Sequence, residues 1–171
     1  ADDVDQNQSV YYTEVQIGAG ASGVYDGGSF LFAGGFFLSG YANGNLFANA
    51  VASAGLVEDY LPGKVGSLPN DPINVMYVVS KYDPPFSTSW QRWGDAVTLG
   101  AEFYDGDKDG IYNPVDKNLN RTWDLDEDMP LLIGDETAWC VFNDGLPSFV
   151  RRWQSEPQGI EVRQTLFATN D

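Results

Sequence analysis

Asp105, Asp107 and Asp109 alternate along the chain and are followed at once by Gly110. A hard cation such as calcium takes six to eight oxygens, and a twelve-residue loop delivers them from positions 1, 3, 5, 7, 9 and 12, with glycine at 6 for the turn. Counted from Asp105, the three aspartates fall at 1, 3 and 5 and Gly110 at 6. Ile111 offers its backbone carbonyl at 7, Asn113 its side chain at 9 and Asp116 its carboxylate at 12. A closing aspartate is shorter than the glutamate usual at position 12, which reduces its bidentate reach.

A second frame starts where the first ends. Asp116, Asn118, Asn120 and Asp124 occupy positions 1, 3, 5 and 9, Thr122 supplies the carbonyl at 7, and Glu127 stands at 12, with Asp126 or Asp128 as substitutes for it. Arg121 takes the position where glycine is usual, so this frame requires a left-handed backbone at a residue that disfavours it. The segment predicts one calcium ion and accommodates two, with Asp116 bridging the frames. Residues 102–128 carry nine carboxylates against Lys108, Lys117 and Arg121. Such crowding is repulsive unless solvent, salt or a bound cation compensates it. The plainer reading is a solvated turn, because Asp and Asn favour loops. Tyr112, Trp123 and the Asn113-Pro114 pair argue instead for an ordered segment.

The acidic segment resembles the calcium loops of the thrombospondin type 3 and dockerin families over about 24 residues. That resemblance implies calcium for Asp105, Asp107, Asp109, Asn113 and Asp116, and through the less regular frame for Asn118, Asn120, Asp124 and Glu127. A broader likeness runs through FAGGFFLSG at 32–40, PNDP at 69–72, GDETAWCVFND at 134–144 and GIEVRQT at 159–165. These stretches are similar to a β-rich domain near the N-terminus of large secreted proteins of bacteria with type IX secretion. The likeness implies a secreted, cell-surface location and a longer parent protein, and brings no enzymatic activity with it. The opening Ala1-Asp2-Asp3 suits a mature end left by leader removal, or the edge of a fragment.

The elements that must hold this segment are strands. Residues 1–8 are polar and acidic and read as a flexible arm. Residues 9–17 (SVYYTEVQI), 29–38, 46–52, 73–82 (INVMYVVSKY), 137–143 (TAWCVFN) and 159–168 (GIEVRQTLFA) are rich in β-branched and aromatic residues and read as strands. In the last of these, Ile160, Val162 and Leu166 are expected to face the core. Asn43-Gly44 is a hairpin signal, and Gly34-Gly35 suggests a bulge. Residues 18–28 and 61–72 read as loops, and 83–93 as a Pro/Ser/Trp loop with at most a helical turn at 89–92. No segment sustains a 3.6-residue apolar period. The expectation is an all-β, antiparallel, jelly-roll-like sandwich, one domain over 1–171, with the calcium loop inserted at 102–128.

Composition narrows the function. Twenty-five acidic against nine basic residues give a formal charge of −16, which disfavours nucleic acid and anionic membrane surfaces as partners. There is no run of 18 apolar residues to insert in a membrane. The single Cys140 lies in an apolar run and reads as a small core hydrophobe. The chain has no histidine to serve it as a base. Asp135 and Glu136 are adjacent, and adjacent strand residues point to opposite faces, a poor geometry for paired-carboxylate hydrolysis. Gly18–Gly28 lacks the spacing of a nucleotide loop. The sequence therefore predicts a non-enzymatic, calcium-stabilised extracellular domain of structural or assembly type, a homo-oligomer or filament formed by strand exchange being its concrete form. The competing prediction is a carbohydrate- or ligand-binding module displaying Trp90, Trp93 and Trp153. Arg151-Arg152 is expected to pair with an acidic surface, and Asn7 and Asn120 head glycosylation sequons.

Overall fold

The structure is a computed structural model, and it describes residues 23–31, 37–50, 59–151 and 154–169. Within them the chain is mostly short strands in antiparallel pairs, with one helix of 12 residues. The chain divides into two compact units, Ala1–Val75 with Val141–Val162 and Met76–Cys140 with Arg163–Asp171.

The first unit contains two hairpins. β1 (Gly23–Tyr25) pairs with β2 (Gly28–Leu31), and β3 (Phe37–Ala42) pairs with β4 (Asn45–Ala50) in unbroken register from Phe37↔Ala50 to Ala42↔Asn45. Both turns use two residues at positive φ, Asp26 and Gly27 at 47° and 73°, and Asn43 and Gly44 at 52° and 82°. Their handedness matches the twist of the flanking strands, which is why Asp-Gly and Asn-Gly are chosen. Asn43-Gly44 was the expected turn, whereas Asp26-Gly27 lies in the stretch read as loop. Gly34 and Gly35, and the strand expected at 9–17, fall outside the described residues.

β5 (Leu61–Pro62) pairs with Phe142 and Asn143 of β9 (Glu136–Asn143). There Tyr60 packs edge-on against Phe142 with ring centroids 5.2 Å apart. A buried polar set lies beside them. Asp144 accepts the Gln158 and Ile160 amides at 2.7 and 2.8 Å and the Asn49 side-chain amide at 3.4 Å. Arg151 Nη1 lies 4.0 Å from Asp144 Oδ2, both side chains being fully buried. Arg151 is therefore an internal counter-charge, not the surface partner expected from the sequence.

The second unit holds β6 (Tyr77–Ser80), which pairs with β9 from Tyr77↔Trp139 to Ser80↔Glu136. The strand is shorter than the 73–82 run suggested, because 71–76 are taken up by turns in which Ile73 N donates to Asp71 Oδ1. α1 (Thr88–Leu99) follows. It corrects the expectation of a loop at 83–93. Trp90, Trp93, Ala96 and Leu99 form its buried stripe, and Gly100 ends it at φ 111°, where an added Cβ would come 2.8 Å from Arg163 Cζ. Trp90 and Trp93 are 7% and 1% exposed. They belong to the buried core, with Tyr77, Val79, Trp139 and Cys140, and cannot form a sugar platform. Trp153 lies outside the described residues.

β7 (Phe103–Tyr104) pairs with β8 (Met129–Pro130). β10 (Glu161–Ala168) neighbours β9 at the sheet edge. Leu166, expected inside, is 47% exposed, and Phe167 is 62% exposed. Cys140 is buried as expected, with its thiol 3.9 Å from Gln164 Oε1. No helix among the described residues is long and apolar enough to cross a membrane.

Candidate metal centre

The acidic segment is an excursion stitched at its base by β7 and β8. At its neck the backbone of Gly106 meets that of Glu127 so closely that a Cβ on Gly106 would sit 2.4 Å from the Glu127 carbonyl oxygen. Only glycine permits that approach. The helix props the segment from beneath. Trp93 Nε1 donates to Glu102 O at 3.0 Å, Tyr112 Oη to Trp90 O at 2.7 Å and Gln91 Nε2 to Pro114 O at 2.9 Å. Burial, then the nearby charge of Asp128, pushes the Tyr112 phenol above its ordinary pKa, so it stays a donor. Phe103 packs on Tyr112 and Tyr104 on Trp123, with centroids 5.2 and 5.4 Å apart. The segment is thus held by its own aromatic side chains, as Tyr112 and Trp123 suggested.

Each frame forms the same turn. In the first, Asp105 accepts the amides of Asp109 and Gly110 at 3.2 and 2.9 Å, Asp107 accepts that of Asp109 at 3.3 Å, and Asp109 accepts that of Ile111 at 2.7 Å. In the second, Asp116 accepts the amides of Asn120 and Arg121 at 3.1 and 2.7 Å, Asn118 accepts that of Asn120 at 3.0 Å, and Asn120 accepts that of Thr122 at 2.7 Å. Each of these four amide bonds in one loop has its counterpart 11 residues on in the other. The backbones agree as well. Lys108 and Gly110 have φ of 62° and 78°, and Leu119 and Arg121 have 62° and 64°. Arg121 adopts the left-handed conformation that the frame demanded, at a cost of about 1–2 kcal/mol for a residue with a Cβ.

The closing carboxylates extend the correspondence. Glu127 accepts the amides of Lys117 and Asp124, the second and ninth residues of the second frame, at 2.6 and 2.9 Å. Asp128 accepts the amides of Gly106 and Asn113, the second and ninth of the first, at 3.0 and 2.8 Å. Glu127 and Asp128 are 1% and 2% exposed. Two neighbouring side chains at the end of the excursion therefore each tie one loop together. Sequence reasoning had Asp128 only as a substitute for Glu127, because a twelve-residue frame admits only a closing group in register, and a carboxylate arriving from 23 residues downstream has no spacing signature.

Asp105, Asp107 and Asp109 offer carboxylate oxygens that all lie within 4.8 Å of one another, and among the described residues they are the one such group of three acidic side chains able to hold a metal ion. Asp116 is not in that group and its two oxygens serve the second loop. Ile111 and Thr122 take part through their amides, which donate to Asp109 and Asn120. In the second loop the side-chain amides of Asn118 and Asn120 both donate to Asp124 Oδ2 at 2.8 Å. The Lys117 ammonium donates to Asp107 Oδ2 at 3.0 Å and to the Asp126 carbonyl. That bond holds the Asp107 carboxyl below the usual carboxylate range and raises the Lys117 ammonium above its own. Each carboxylate oxygen that accepts one amide keeps a lone pair for a cation.

Asp135, the other acidic candidate, is paired with Lys81 Nζ at 2.6 Å. No family model, no curated protein and no solved structure matches the chain.

Proposed function

We propose that the chain is a calcium-stabilised structural domain of an extracellular, cell-surface protein, a β-sandwich in which calcium pins the long connection between β7 and β8. The observation that carries this reading is the duplicated turn, with its amide-to-carboxylate bonds and a separate buried closing carboxylate for each copy. Loops of hard oxygen donors suit calcium more than zinc or copper, which favour nitrogen and sulfur. Asp105, Asp107, Asp109, Asn113 and the Ile111 carbonyl would hold the first ion with Asp128 closing it. Asp116, Asn118, Asn120, Asp124 and the Thr122 carbonyl would hold the second with Glu127. Asp116 then belongs to the second site alone. Fewer charges in the second loop, where asparagines replace two aspartates, give it the weaker affinity.

The segment lies between short strands and is braced by aromatic packing, an arrangement suited to fixing geometry. An assembly role, with strands exchanged between copies in a filament or sheath, accompanies this reading. The carbohydrate- or ligand-binding alternative loses Trp90 and Trp93 to the core, while Trp153 lies outside the described residues. The test is differential scanning calorimetry of the full chain in calcium and in chelator. A ligand that binds only the folded state at 100 times its Kd stabilises by about 2.7 kcal/mol, so calcium should raise Tm by several degrees. The shift should shrink sharply in a variant with Asp105, Asp107 and Asp109 all changed to Asn. Equal Tm values in calcium and chelator would overturn the proposal.

A further inference from the structure

The two loops share their closing element. Glu127 and Asp128 are joined by one peptide, both side chains are buried, and each serves a different loop. That peptide is held from both sides. From the second loop, Glu127 N donates to Asp124 O at 3.0 Å and Trp123 Nε1 donates to Glu127 O at 2.9 Å. From the first, Gly106 lies so near the Glu127 backbone that an added Cβ would stand 2.5 Å from Glu127 N. The bonds that shape the second loop therefore fix the backbone from which Asp128 reaches the first. The packing of Gly106 in turn fixes the backbone from which Glu127 reaches the second.

Lys117 makes the reverse crossing. Its amide donates to Glu127, the closing group of its own loop, at 2.6 Å, and its ammonium reaches Asp107 of the first loop at 3.0 Å. The second residue of each loop thus touches its own closing carboxylate and a group that belongs to the other loop. An ion that orders one loop must order the shared peptide as well. The conformational entropy of fixing that peptide is then lost once for the pair, and the second ion meets a site already closed. The opposing effect is repulsion between the ions. Nine carboxylates against Lys108, Lys117 and Arg121 leave residues 102–128 net negative even with both calcium ions bound, and salt screens charges beyond about 8 Å under physiological conditions. The remaining negative charge offsets the repulsion, so the ordering of the closing peptide sets the sign of the coupling.

We propose that the two loops bind calcium with positive cooperativity, each ion ordering the Glu127-Asp128 peptide that closes the other site. This deepens the calcium reading above and rests on it. The connection between β7 and β8 then locks as one unit and not loop by loop. The experiment is isothermal titration of the full chain with calcium, in the parent and in two variants that each disable one loop. Asp105→Asn, Asp107→Asn and Asp109→Asn together disable the first, and Asp116→Asn with Asp124→Asn disables the second. Asparagine keeps an oxygen that can accept the amides shaping each turn, and circular dichroism and Tm in chelator establish that each variant is folded. Each variant gives the single-site association constant of its intact loop. For independent loops the parent's overall two-ion constant equals the product of those two constants. Coupled loops make it larger, and we expect a factor of about five or more. If one variant does not fold, the other's constant together with the parent's two stepwise constants fixes the same factor. A factor of one or less would overturn the inference while leaving calcium stabilisation standing. A parent that takes up no calcium would overturn both.

Discussion

Lys117 holds the position of a counter-ion inside the acidic segment, with its ammonium 3.0 Å from Asp107 Oδ2. Calcium bound as proposed would claim that carboxylate, and the ammonium would have to leave. The pair is exposed and therefore weak, so removing the competitor should tighten the first site by only about two- to fivefold. Lys117→Met should therefore lower the calcium Kd in isothermal titration, and an unchanged or weaker Kd would show that the lysine does not compete. A second residue-scale prediction separates the closing groups. Asp128→Asn should weaken the tighter of two calcium-binding steps, because Asp128 ties the first loop through Gly106 and Asn113. Asp116→Asn should instead affect the weaker step. If Asp116→Asn abolishes the tight step and Asp128→Asn spares it, the in-register frame is the correct one.

The acidic loops were legible as a candidate site because alternating carboxylates before a glycine leave a local signature. What closes them was not, since Asp128 reaches the first loop only through the fold. The strands at 137–143 and 159–168 and the Asn43-Gly44 hairpin were readable for a similar reason, their signals being contained within a few residues. The helix was missed although Ser87 stands just before it and Gly100 follows. Two tryptophans, Gly94, Val97 and Thr98 are weak helix formers, and prolines at 84 and 85 sit just upstream. Tertiary burial of Trp90 and Trp93 outweighs that local preference. Helix and loop also depend on each other through Trp93, Tyr112 and Gln91, so a steric fault at the neck should propagate. Gly106→Ala would place a methyl carbon against the Glu127 backbone, which cannot yield as a flexible side chain could. We expect a loss of about 1–3 kcal/mol in chelator and a further loss of the calcium-dependent Tm shift. A Gly106→Ala variant as stable as the parent would mean that the neck opens freely.

At the scale of the whole molecule, stability should fall on the alkaline side for a reason located in the core. Burial pushes the Cys140 thiol from 9.0 up to about 12. Burial, followed by the charges of Asp59 and Asp144, raises the Tyr60 phenol from 10.0 to about 12. Both groups are neutral when protonated, and the fold favours that form, because a thiolate or phenolate would add negative charge to a dry interior in a chain of formal charge −16. A pKa raised in the folded state means that the unfolded chain releases its proton first. The associated stability is whole below the unfolded values and is lost as pH climbs from about 9 toward about 12. Chemical denaturation in chelator at intervals from pH 7 to 11 should show a plateau and then a decline that begins with the thiol. Cys140→Ala should delay the onset by about one pH unit, since Tyr60 then governs it. In the native parent the thiol should resist disulfide reagents at pH 8 and react on unfolding, as a buried thiol with little thiolate does. A stability that stays level to pH 11, or a Cys140→Ala variant whose decline begins where the parent's does, would remove these two core groups as the cause.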